Sequence, residues 1–145
     1  MSNINKFDEY AGRTLGILYE SFPVPANINV GDVLGYPDLY HGRGIPAEMN
    51  ADAYIAACSV NWLADTGYIK MSGGNGDEFF NLTLTEKGLE VLKATPGSLT
   101  QQSSSLGKQI AAAAKSGAKE TLRSLVNQAL AIGVKIAAHS AGFNI

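Results

Sequence analysis

The sequence predicts an α+β chain that is mainly helical, with a small antiparallel sheet set among helices and one long helix at the C-terminus. Three observations lead there. From Ala53 to Leu63 apolar residues keep helical spacing, and the chain then passes through Gly67 directly into Tyr68-Ile69-Lys70-Met71, as a helix handing over to a strand would. The tip Gly73-Gly74-Asn75-Gly76-Asp77 separates that strand from Phe79-Phe80-Asn81-Leu82-Thr83-Leu84, and Asn-Gly is the strongest short hairpin signal. Finally, Leu106 to Ala138 is rich in alanine with periodic Leu, Ile and Val.

In chain order, Ile4, Phe7, Ala11, Leu15, Leu18 and Phe22 lie three or four residues apart, which is one face of a helix. Asn3 or Asn5 is the expected cap. Pro23-Val24-Pro25 must end the helix, because proline lacks an N–H and restricts the residue before it. The adjacent acids Asp8 and Glu9, near the helix start, read as solvated. Ile28 and Val30 alternate with Asn27 and Asn29, predicting a short strand, and Asp32 to Leu34 begins a brief helical turn. Gly35 to Pro46 is a long loop in which Tyr36, Tyr40 and Arg43 form a candidate stacking surface, against the plainer reading of tyrosines folded over the core. A helix capped by Asn50 or Asp52 follows, running to Thr66, with Ala56, Val60 and Leu63 inward, Trp62 at the edge of the core, and Ala53, Ala57, Asn61 and Asp65 on the opposite stripe. On the returning strand, period two puts Phe80, Leu82 and Leu84 on the core face. Thr85 caps Glu86 to Ala94, where Leu89 and Leu92 pack inward and Gly88 admits a neighbouring backbone.

The run Val60-Asn61-Trp62-Leu63-Ala64-Asp65-Thr66-Gly67-Tyr68-Ile69, the hairpin, and Leu84-Thr85-Glu86-Lys87-Gly88-Leu89 resemble the second half of a winged helix-turn-helix domain. The resemblance extends from Ile4 to Thr95. It implies a fold with a β-wing and, as in most prokaryotic domains of this kind, DNA binding through the helix that precedes the wing. Carried onto this sequence, the candidate DNA contacts are Arg43, Asn61, Lys70 and Lys87. Only Asn61 brings base-reading chemistry to the recognition helix, which has no Arg or Lys. Residues 1–96 carry twelve acids against six bases, a balance of −6, whereas the remainder is +4. Phosphate contact supplies much of the affinity for DNA, so this charge argues against the DNA reading.

The expected organisation is a winged-helix domain over residues 1–96, a Ser/Gln-rich linker over 97–105 and an amphipathic Ala-rich helix over 106–145. Gly107, Gly117 and Gly133 each cost that helix about 1 kcal/mol relative to alanine, so it needs packing to hold it. Ala118, Leu122, Leu125, Ala129, Ile132 and Ile136 succeed one another at spacings of four, three, four, three and four. That alternation keeps a seam facing a partner helix and predicts a homo-oligomer, with packing back onto the chain's own domain as the alternative. Val126, Leu130 and Ala137 widen the seam.

A chain of 145 residues with 46% hydrophobic content supports one core without disulfides. The single Cys58 has apolar or small neighbours and is expected to be an inert buried thiol. Met1 to Lys6 has no apolar leader core, and no uncharged apolar run approaches the roughly 20 residues that span a bilayer. These features predict a cytoplasmic protein, and the tail, without Trp or Phe before Phe143, makes a poor interfacial membrane helix. Two histidines and one cysteine build no catalytic or metal-ligating constellation, so neither enzyme activity, cofactor nor metal is expected. Two functions remain in view. One is a DNA-binding regulator that oligomerises through its C-terminal helix, and the other is a protein-interaction or assembly module that does not bind DNA.

Overall fold

The computed structural model describes residues 2–37, 45–95 and 104–140, the last four as backbone only. Its elements are α1 (Asn3–Ser21), β1 (Ala26–Asn29), α2 (Val30–Leu34), a 3-10 turn at Ala47–Met49, α3 (Asn50–Asp65), β2 (Ile69–Lys70), β3 (Gly73–Gly74), β4 (Glu78–Leu84), α4 (Glu86–Lys93), α5 (Leu106–Ser116) and α6 (Lys119–Ser140). Mainly helical with a small antiparallel sheet, this is the coarse fold class that the sequence predicts.

α1 packs against α2, α3, α5 and α6. Ser2, rather than Asn3 or Asn5, caps it, its hydroxyl accepting from Asn5 N at 3.2 Å. Ala11, Leu15 and Leu18 are buried as their spacing predicts, but Ile4 is 65% exposed. A second stripe of α1 is covered as well. A Cβ at Gly12 would stand 2.7 Å from Leu122 Cδ1 and Val126 Cγ2, and one at Gly16 would stand 3.2 Å from Ala111 Cα. Only a residue without a side chain lets α5 and α6 lie this close.

The sheet runs β1-β4-β2, with β3 pairing farther along β4. Ala26 pairs with Leu82 and Ile28 with Phe79, so β4 carries one residue more than β1 between these pairs. That extra residue is a bulge. Asn81 sits there at φ 57, with its N–H donating to Asn27 Oδ1 at 2.9 Å. The bulge corrects the expected register: Phe79, at 2% exposure, joins Leu82 and Leu84 in the core, whereas Phe80 is only half-buried. Val30 opens α2 instead of extending the strand, because Asn29 and Asp32 form a reciprocal capping box. Thr85 caps α4 as predicted, accepting from Gly88 N at 3.0 Å, and a Cβ at Gly88 would collide with the Tyr68 carbonyl oxygen.

The one long C-terminal helix is in fact two. Gly117 adopts φ 76 and its N–H bonds the Ala113 carbonyl, a left-handed cap that ends α5 and turns the chain back into α6. Both helices pack within the chain. Leu106, Ile110, Leu122, Leu125, Val126 and Ala129 are all buried in the same core as Leu15 and Leu92. Of the predicted linker, residues 97–103 lie outside the described residues. Ser105 belongs to α5 as its cap, and the Leu106 N–H donates to Ala94 O at 2.8 Å.

Candidate binding groove

α3 is buried along Ala53, Ala56, Ser59, Val60 and Leu63. This face lies against α1 and places Tyr54, Cys58, Asn61, Trp62 and Asp65 outward. Neither Asn50 nor Asp52 caps the helix; the 3-10 turn leads in through Met49 without a side-chain cap, and Asp52 instead accepts from Lys6 Nζ at 2.7 Å. Cys58 corrects the expectation of a buried thiol, because it lies on the side of α3 away from Ala56 and Leu63 and is exposed.

Between this outward side of α3, the first turns of α1 and the middle of α6 lies a groove of about 620 Å³. Phe7, Ile55, Trp62 and Leu130 make its apolar sides, Ile4 and Tyr54 its rim, and Cys58 opens onto it. Trp62 is held edge-on by Phe7, with centroids 5.1 Å apart and planes at 84°, and is stacked with Tyr68 at 6.0 Å. It is nonetheless 40% exposed, and Tyr54 is 72% exposed. The polar lining includes Asn127 and Asp8. Asn127 Nδ2 donates to Asp8 Oδ2 at 3.2 Å and to the Arg123 carbonyl at 2.9 Å. Burial pushes the Asp8 carboxyl above its ordinary value, opposed by the Asn127 hydrogen bond and the Arg123 charge. The expectation that Asp8 and Glu9 are solvated is therefore wrong for both, which are 6% and 3% exposed. No family model, curated protein or solved structure matches this chain.

The residues singled out for DNA contact differ in their surroundings. Asn61 and Lys70 are exposed on α3 and β2, and Arg43 lies outside the described residues, as do Tyr40 and His41. Lys87 is engaged locally: its ammonium donates to Thr66 O at 2.9 Å and sits 4.2 Å above the Tyr68 ring, completing the C-terminal end of α3. In the predicted oligomer seam, Leu122, Leu125 and Ala129 are buried inside the subunit, whereas Ala118, Ile132 and Ile136 are partly buried against the same core. The large apolar residue that α6 leaves outside is Val134, 65% exposed.

A second polar cluster sits deeper on α1. Arg13 Nη2 lies 3.2 Å from Glu9 Oε2, and Nη1 donates to Leu34 O at 3.2 Å, while Glu9 Oε1 and Arg13 Nε have no partner among the described residues. Burial, reinforced by the Asp52 and Glu9 charges, pushes the neighbouring Tyr10 phenol up to about 12. A cavity of about 470 Å³ adjoins Arg13, but its other charges are taken: Lys115 pairs with Glu20 at 2.7 Å and Asp32 belongs to the α2 capping box. Among the described residues no group of three His, Cys, Asp or Glu could hold a metal, and no helix is long and apolar enough to cross a membrane.

None of Asn61, Lys70 and Lys87 lines the groove. Its polar anchor was detectable in one respect. Asp8, Gly12, Gly16 and Glu20 recur every four residues on α1, and this stripe meets Asn127, Leu122, Ala111 and Lys115 in turn.

Proposed function

We propose that the protein is a non-enzymatic interaction module of winged-helix topology, in which α3 forms a wall of a binding groove instead of reading DNA. The winged-helix assignment is supported by the order helix, strand, two helices, hairpin, helix and by the sheet path β1-β4-β2. The observation that carries the function is the outward face of α3. It offers Tyr54, Cys58 and Trp62 to an apolar groove and contains no base to meet phosphate. The guest presents apolar surface to the groove and enters between α1, α3 and α6.

The DNA-regulator reading is favoured only by the exposure of Asn61 and Lys70 beside the hairpin. One pair of titrations separates the two. The neutral fluorophore N-phenyl-1-naphthylamine is expected to bind saturably and to be weakened by Trp62→Ala, while labelled genomic DNA fragments bind only at low salt. Tight binding of DNA at physiological salt, lost in Asn61→Ala and Lys70→Ala, together with no uptake of the fluorophore, would overturn the proposal.

A further inference from the structure

The groove combines two features. Its side walls are aromatic and partly uncovered, with Trp62 locked in place by Phe7 and Tyr68 but open to solvent over 40% of its surface. Its lining also contains one ionisable carboxylate, Asp8, and no lysine or arginine. The nearby Lys6 ammonium is held 2.7 Å from Asp52. Asp8 is 6% exposed and, among the described residues, its Oδ2 accepts a 3.2 Å hydrogen bond from Asn127, while the Arg123 charge also favours the ionised form. An acid buried this far gains from any cation brought beside it, and the face of an indole attracts the same charge.

We propose that the groove binds an aromatic organic cation, its rings against Trp62 and Tyr54 and its positive charge beside the Asp8 carboxylate. The inference rests on the groove being the binding surface and adds the charge of what it takes. The size agrees, since about 620 Å³ falls within the roughly 300–1,000 Å³ of sites for molecules of this class. The charge is selective in both directions. A cation adds to the relief that Arg123 gives the buried acid, whereas an anion of the same shape meets that acid and finds no base among the lining residues.

Tetraphenylphosphonium and tetraphenylborate are near-isosteres of opposite charge, and Trp62 is the only tryptophan in the chain, so its fluorescence reports the site alone. The phosphonium is expected to quench saturably with a Kd at least tenfold below that of the borate. Asp8→Asn should remove that preference by weakening the phosphonium while leaving the borate unchanged. Tyr54→Ala, at an exposed rim position that leaves the core alone, should weaken the phosphonium several-fold. Bound phosphonium should also slow N-ethylmaleimide modification of Cys58, the only cysteine, which places the ligand in this groove. Equal affinity for the two ions, or a preference that survives Asp8→Asn, would overturn the inference. If neither ion binds but the neutral naphthylamine does, the cation inference fails and the groove stands; if the naphthylamine fails too, both fall.

Discussion

Gly12→Ala should destabilise the chain, against the usual helix preference, and the loss should depend on Leu122. Replacing a helix glycine by alanine ordinarily gains about 1 kcal/mol. Here the added methyl would lie 2.7 Å from Leu122 Cδ1 and Val126 Cγ2 and 2.9 Å from Leu122 Cγ, inside contact distance of two side chains that are 1% and 0% exposed. Overpacking of that kind costs about 1–3 kcal/mol, so the net effect is a loss of up to about 2 kcal/mol. Leu122→Ala alone should cost about 2–5 kcal/mol. It also removes two of the three close contacts and gives Val126 room to move, so the double variant should be more stable than the summed single effects by at least about 1 kcal/mol. Urea unfolding followed by Trp62 fluorescence at two protein concentrations measures this, and the midpoints should not change with concentration. Additivity within about 0.5 kcal/mol, with Gly12→Ala stabilising in both backgrounds, would show that α6 does not lie on α1.

Other expectations follow from the same geometry. Phe79→Ala should cost about 3–5 kcal/mol and Phe80→Ala clearly less, as read from urea midpoints, because the Asn81 bulge turns Phe79 inward; the reverse ranking would restore the regular register. Burial holds the Asp8 carboxyl above its unfolded value, so its contribution to stability is complete below that unfolded value and is lost as pH rises through the raised folded one. Asp8→Asn should flatten this fall in urea midpoints measured from acid to neutral pH, and an unchanged slope would count against the burial. Leu125→Asp, which puts a charge at a position only 5% exposed, should unfold the subunit at every protein concentration, whereas Val134→Asp should shift the midpoint by no more than about 0.5 kcal/mol. A folded Leu125→Asp with reduced mass in light scattering would instead place the α6 seam between subunits.

Elements set by local signals were legible from the residues. Gly67, the Asn75-Gly76 tip, Thr85 and the spacing of Ala56, Val60 and Leu63 each act within a few positions, and each does what its pattern predicts. Features that depend on distant partners were not. The left-handed Asn81 shifts the inward side of β4 by one residue, and nothing in Phe-Phe-Asn-Leu marks which phenylalanine turns in, because the bulge is fixed by Asn27 and Ser72 from other segments. Gly117 was counted only as a helix penalty, although its αL cap breaks the helix. The seam on α6 has the spacing of an intermolecular contact, but helical spacing says which residues are buried and not against what. Asp8 looked solvated for the same reason, since the side chain that covers it, Asn127, comes 119 positions later.

The enclosure of α1 has a consequence for how the chain is made. Its Asp8, Gly12, Gly16 and Glu20 stripe is met by α5 and α6, which a ribosome adds after α4. Until they emerge, the first helix has one side covered by α3 and the other open, and the contacts that close it span most of the polypeptide. Contacts of such separation form slowly, because the intervening loop must be closed before they give anything back. Emergence of α5 and α6 is thus the event that covers this side of α1. A nascent chain stalled after α4 would present the glycine stripe of α1 to whatever chaperone or neighbouring chain is at hand.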